Sequence, residues 1–136
     1  MAENLRSAPL AGKVIAPPGA DMVLTEVRDP GGGTNPPTYI APLHIHDSDD
    51  EAWYVLEGTL AFRVDQSELE VPAGGGIVVP RGTAHTFWNP SPAPARYLLV
   101  MTATINRLVE ALHAPGGPGD MDALFREHRS TLIGWP

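Results

Sequence analysis

Proline and glycine interrupt this chain so often that most of it has room only for short elements. The 15 prolines and 14 glycines among 136 residues fall in clusters between apolar runs: Pro17-Pro18-Gly19, Pro30-Gly31-Gly32-Gly33, Pro36-Pro37, Gly74-Gly75-Gly76 and Pro90-Ser91-Pro92-Ala93-Pro94. Proline removes a backbone donor and glycine lets the chain reverse, so each cluster reads as a turn or loop. The segments left between them, residues 14–16, 22–27, 38–46, 51–56, 59–64, 68–71, 77–80, 85–88 and 96–102, have the length and composition of strands. Residues 59–64 and 68–71 flank Asp65-Gln66-Ser67 and read as a hairpin. Short strands at this spacing, with no helix between them, predict an antiparallel β-sandwich or barrel.

The period changes after residue 102. Ile105, Leu108, Val109 and Leu112 recur at helical spacing, ending before Pro115-Gly116-Gly117-Pro118-Gly119. A second short helix is predicted from Asp120, a fair N-cap, to about Arg129, burying Leu124 and Phe125. The expected organisation is an N-terminal arm (1–13), a barrel (14–102) and C-terminal helices (103–136) packed on the barrel, forming a single domain overall. The loop 28–37 is long enough to serve as a lid.

Charge and composition narrow the partners. A formal net charge of −7 and a single lysine, Lys13, offer no positive field to nucleic acid or anionic lipid. The three arginines of 103–130 are offset by four acids, so the helices are not a DNA-reading pair. No segment has the length of a membrane span or an export signal, and a cytoplasmic protein is expected. With no cysteine, a metal ion would have to be held by imidazole and carboxylate.

Those ligand types are clustered. His44 and His46 are two apart on an extended segment and share a face. Glu51 opens the next strand beyond the turn Asp47-Ser48-Asp49-Asp50, which reads as solvated. His85 follows the turn Pro80-Arg81-Gly82. Trp53, Val55 and Phe87 share strand parity with Glu51 or His85 and are candidates for a pocket wall or for plain core. Arg63, Arg81, Tyr39, Tyr54 and Thr102 are the polar candidates for substrate contact. Pro80 and Gly82 serve the turn, Asn89 a loop hydrogen bond, and His113 and His128 read as surface residues of the helices.

Taken together, His44-x-His46-x4-Glu51-x6-Gly58 and Gly74-x5-Pro80-Arg81-Gly82-Thr83-Ala84-His85-x3-Asn89 resemble both signature motifs of the cupin superfamily over roughly residues 38–102. One position departs: Thr38 stands where the first motif usually opens with glycine. The resemblance implies an all-β cupin jelly-roll barrel or sandwich with a short C-terminal helical segment, and one divalent transition metal (Fe, Mn, Ni, Cu or Zn) on His44, His46, Glu51 and His85. Three imidazoles and a carboxylate leave coordination positions open, which signals catalysis more than structure. The runs Glu-Ala-Trp-Tyr-Val-Leu-Glu-Gly and Pro-Arg-Gly-Thr-Ala-His-Thr-Phe-Trp-Asn and the ending Ile133-Gly134-Trp135-Pro136 look most like the small quercetin-dioxygenase-like cupins.

That likeness implies a metal-dependent dioxygenase acting on a small enolisable or aromatic metabolite. Glu51 would be both ligand and catalytic base, its basicity raised by an apolar wall. Two alternatives stand beside it: a metal-dependent isomerase, cyclase or lyase that does not use O2, and a non-catalytic small-molecule-binding module. The likeness also implies a homodimer, with which the apolar strands and the N-terminal arm are compatible.

Overall fold

The computed structural model describes residues 2–32 and 34–136; Met1 of the N-terminal arm and Gly33 of the loop 28–37 lie outside the described residues. Among the described residues, a 3-10 helix (Ala2–Leu5) is followed by ten strands and two α-helices: β1 (Val14–Ile15), β2 (Met22–Asp29), β3 (Leu43–His46), β4 (Glu51–Glu57), β5 (Thr59–Val64), β6 (Ser67–Pro72), β7 (Gly76–Val79), β8 (His85–Trp88), β9 (Ala95–Thr102), α1 (Ala103–Leu112), α2 (Met121–Glu127) and β10 (Ser130–Gly134). They form two five-stranded sheets, ordered β1-β2-β9-β4-β7 and β10-β3-β8-β5-β6, with every strand pairing antiparallel. This is the sandwich that the turn spacing predicts.

Alternation builds the core. Along β9, Ala95, Tyr97, Leu99 and Met101 are buried and their neighbours are not, as a strand with one face inward requires. Val23 of β2, Trp53 and Val55 of β4, Leu60 and Phe62 of β5 and Phe87 of β8 complete the interior. Helix α1 adds Ile105 to the same cluster. Thr102 caps this helix, its hydroxyl accepting from the Ile105 amide at 3.2 Å. Asp120 caps α2 in the same way through the Ala123 amide.

Two glycines of the sequence pattern meet physical requirements. Gly58 has φ +76°, and a Cβ there would lie 2.6 Å from the Pro94 carbonyl oxygen. Any side chain would collide with fixed backbone. Gly82 has φ +79° but open space around it, so only its conformation demands glycine. At Thr38 nothing unusual is needed: Asp65 and Arg129 are the non-glycine residues with positive φ among those described.

The chain after residue 103 differs from expectation at its end. The second helix stops at Glu127, and Ser130–Gly134 is a strand instead of a helical tail. Strand β10 pairs with β3, setting Ser130 opposite His46 and Leu132 opposite His44. The N-terminal arm lies on β2, where Ala11 bridges Glu26 and Thr25 donates to the Lys13 carbonyl at 2.7 Å. No described helix is long and apolar enough to cross a membrane.

Candidate metal centre

Both sheets contribute to one cluster. His44 and His46 point inward from β3, and His85 stands opposite His44 in register on neighbouring β8. Glu51 opens β4 on the facing sheet. All four are buried, with exposures of 6 %, 3 %, 6 % and 1 % for His44, His46, Glu51 and His85. Their ligand atoms lie within 4.8 Å of one another. Nε2 of His44 is 3.1 Å from Nε2 of His46, and Oε1 of Glu51 is 3.3 Å from His46 Nε2 and 3.2 Å from His85 Nε2.

The outer nitrogens are occupied elsewhere. His44 Nδ1 donates to the Pro42 carbonyl at 2.6 Å and His85 Nδ1 to the Thr83 carbonyl at 2.9 Å. Carbonyls only accept, so both rings carry their proton on Nδ1 and turn an Nε2 lone pair toward the centre. His46 Nδ1 meets Ser130 Oγ at 2.8 Å. Lone pairs of nitrogen and of a carboxylate thus face each other in a dry space, an arrangement that holds together only with something electropositive among them, protons or a metal ion. Metal–ligand bonds of about 2.0–2.2 Å at right angles put neighbouring donors about 3 Å apart, close to the separations found here. The four residues could therefore hold a metal ion, and the donor set suits a divalent transition metal.

The electrostatics corrects one expectation. Burial lowers the His44 pKa to about 3, helped by the neighbouring His85 and His46. That keeps the ring neutral and available as a ligand. For Glu51, burial does push the pKa up, but hydrogen bonds and charge from His46 and His85, given when their Nε2 atoms carry protons in place of a metal ion, outweigh it and hold the pKa down at about 2. The apolar wall alone would make Glu51 more basic; the two imidazoles make it less so.

The surroundings sort the remaining candidates. Trp53 lies 5.9 Å from the His85 ring, centroid to centroid, and packs edge-on against Phe62 and Phe87. Trp53, Val55 and Phe87 are therefore core residues, with Trp53 also beside the cluster, and its indole nitrogen is buried without a partner among the described residues. Asp49 departs from the solvated reading: it is 7 % exposed and faces Arg129 at 3.5 Å, while Asp50 stays outside and clamps Arg81. Asn89 ties two loops together, donating to the Ala93 and Asp29 oxygens and accepting from the Ser91 amide.

Of the polar candidates for substrate contact, Arg81 and Thr102 line a cleft of about 910 Å³ that Glu51 also lines, between the turn after β1 and helix α1. Tyr39 packs on Trp88, Tyr54 is exposed, and Arg63 binds the Asp65 carbonyl. His113 and His128 close their helices, each ring donating to the carbonyl four residues back.

Sequence reasoning missed Phe125 and Ser130 as neighbours of the cluster. Phe125 is buried as its helical position predicts, but it also packs 5.7 Å from the His44 ring. Ser130 carries no local signal, since its position depends on a strand that pairs with residues 84 positions away.

Residues 29–101 match the family model described as Cupin domain. Among solved structures, the protein TT1209 of Thermus thermophilus aligns at 25 % identity and a TM-score of 0.52, over 62 % of this chain and 74 % of that one. A structure from Silicibacter pomeroyi described as a sugar phosphate isomerase from a cupin superfamily aligns at 29 % identity and a TM-score of 0.52. That alignment covers 61 % of this chain and 51 % of the other, so the chain spans about half the length of that relative. A Schizosaccharomyces pombe cupin domain, 14 % identical over 77 % of this chain and 69 % of its own, shares the fold at a TM-score of 0.55. No curated protein is significantly similar to the chain in sequence.

Proposed function

The chain belongs to the cupin domain family, and from that premise we propose a metal-dependent enzyme in which His44, His46, Glu51 and His85 hold one divalent ion. The proposed activity is dioxygenase chemistry of the quercetin-dioxygenase-like kind on a small enolisable or aromatic metabolite. The observation that carries the reading is the convergence of three Nε2 atoms and one carboxylate oxygen while the Nδ1 atoms are bound elsewhere. An ion of Fe, Mn, Ni or Cu held by these four residues would supply Lewis acidity toward a substrate oxygen and electron exchange with O2.

The protein's own groups would do the rest. Glu51 serves as ligand and as acceptor of the substrate's proton. A carboxylate bound to an ion is a weak base, so Glu51 suits a proton that is already acidic, such as that of an enol or a 1,3-diketone. Trp53, Phe62 and Phe87 keep water from the cluster on one side. The cleft that Glu51, Arg81 and Thr102 line is not lined by His44, His46 or His85, so it does not mark the way to the cluster.

Oxygen uptake is the test, measured with flavonols and with 1,2- and 1,3-diketones after loading with Fe, Mn, Ni or Cu. Consumption that disappears in His85→Ala is expected; no consumption with any of these metals overturns the dioxygenase reading.

One observation favours a second reading, a Lewis-acid isomerase, cyclase or lyase that needs no O2. The Silicibacter pomeroyi relative, at 29 % identity, is described as a sugar phosphate isomerase. Here Glu51 would move a proton between neighbouring carbons, the ion polarising the carbonyl. Turnover of a sugar phosphate by the Zn-loaded protein under argon selects this reading over the first.

A further inference from the structure

The three histidines of the cluster are not held alike. His44 and His85 give their Nδ1 protons to backbone carbonyls, which accept only. His46 faces a hydroxyl, which can donate or accept. Which it does decides the ring: a hydroxyl that donates would leave the His46 proton on Nε2, pointing into the cluster, where no metal could then be bound by that atom.

The hydroxyl's single proton has another acceptor. Ser130 Oγ lies 3.2 Å from the His128 carbonyl oxygen and donates to it, so toward His46 Nδ1, at 2.8 Å, the same oxygen accepts. The backbone fixes this geometry from both sides. Helix α2 ends with His128 as its C-cap, and Arg129 follows at φ +54°, which turns the chain into β10. Asp47 donates its amide to the Arg129 carbonyl at 2.9 Å, and Ser130 is the register partner of His46. Ser130 is 2 % exposed, so bulk water does not compete for its hydroxyl.

We propose that Ser130 is a positioning residue of the metal centre: it relays the His128 carbonyl to His46, holds that ring with its proton on Nδ1, and so makes Nε2 the ligand atom. This rests on the metal reading of the cluster. It places a determinant of metal affinity on the C-terminal strand, beyond residues 29–101 that match the family model. The sequence conceals it because the hydroxyl's polarity is set by a third residue, His128, two positions before the serine.

The test uses the full chain with Ser130→Ala and, as a control on the same strand, Thr131→Ala, whose hydroxyl donates to Asp47 alone among the described residues. Two quantities are read: Zn(II) and Co(II) affinity by chelator competition, and the His46 tautomer in the metal-free protein from its ring ¹⁵N shifts at a pH where the ring is neutral. Ser130→Ala is expected to lose about 10–100-fold in affinity and to show His46 with proton population on Nε2, while Thr131→Ala matches the wild type in both. An unchanged affinity or an unchanged tautomer in Ser130→Ala overturns the proposal, since a merely structural serine would not move the tautomer. A wild type that binds neither ion removes the metal reading, and the tautomer then decides alone whether Ser130 positions His46.

Discussion

Glu51 and His85 meet across the sandwich: 34 residues apart in sequence and on opposite sheets, they bring Oε1 and Nε2 to 3.2 Å. Because β3 and β8 lie side by side while β4 faces them, removing any one ligand opens the centre without dismantling a strand. His85→Ala and His46→Ala are each expected to weaken Zn(II) binding by more than the roughly 100-fold that loss of an outer hydrogen-bond partner costs. Elemental analysis of protein purified without chelators checks it; unchanged metal content in both variants would show that the ion is not held here.

Metal binding should also be visible as stability. A ligand that binds only the folded chain adds about 2.7 kcal/mol at a free concentration 100 times Kd. Urea unfolding of the metal-free protein with and without excess Zn(II) is expected to show a rise of that order, abolished in His85→Ala. Equal midpoints in the wild type would contradict a site formed by folding.

The pKa directions give a pH dependence with a definite sign. His44 falls from 6.5 to about 3 and Glu51 from 4.5 to about 2 on folding. Below about 6.5 His44, and below about 4.5 Glu51, bind more proton in the unfolded chain than in the folded one, so the stability these two groups contribute is lost as pH falls, first through the histidine range and then through the carboxylate range. The stabilisation is fully present above pH 6.5. Denaturant midpoints of the metal-free protein should decline from about pH 7 toward about pH 3, less steeply in His44→Phe; a flat profile in the wild type would remove the basis for calling these groups perturbed.

Legibility in the sequence depended on whether each signal was local. The shared face of His44 and His46 follows from a period of two, and the inward Trp53 and Val55 follow from the same parity as Glu51. The α1 stripe was legible for the same reason, as was the Asp120 cap. What failed was nonlocal. Ser130–Gly134 is a strand because β3 offers it an edge, not because its own residues insist on one. Glu51 is a weaker base than an apolar setting suggests because two imidazoles from the other sheet reach it. Asp49 looks like its exposed neighbours Asp47 and Asp50 in sequence, yet it is buried and faces Arg129, which comes from the far end of the chain.

Gly58 and Gly82 separate two reasons for needing glycine. Both have φ near +80°, but only Gly58 has backbone within 2.6 Å of a would-be Cβ. Gly82→Ala is expected to cost about 1 kcal/mol from conformation alone, and Gly58→Ala about 2–4 kcal/mol because Pro94 must also move. Equilibrium unfolding of the two variants under the same conditions compares them, and equal losses would mean that the Pro94 segment yields freely.

Phe125 ties the C-terminal helix to the cluster of His44, His46, Glu51 and His85 by packing, where Ser130 meets it by hydrogen bonding. Its ring is 1 % exposed and sits edge-on to His44, 5.7 Å away. Truncation to alanine removes a large buried side chain and should cost about 3–5 kcal/mol. Phe125→Leu keeps most of the volume and should cost about 1.5 kcal/mol or less. The two variants divide packing from chemistry: if Phe125 only fills space, leucine restores both stability and metal affinity. If the aromatic edge also holds the His44 ring in place, leucine restores the unfolding midpoint while Zn(II) affinity stays below that of the wild type. Chelator competition beside urea unfolding distinguishes the two. The ring contact favours the second outcome, because among the described residues the Pro42 carbonyl is the one hydrogen-bond partner of His44 from outside the cluster.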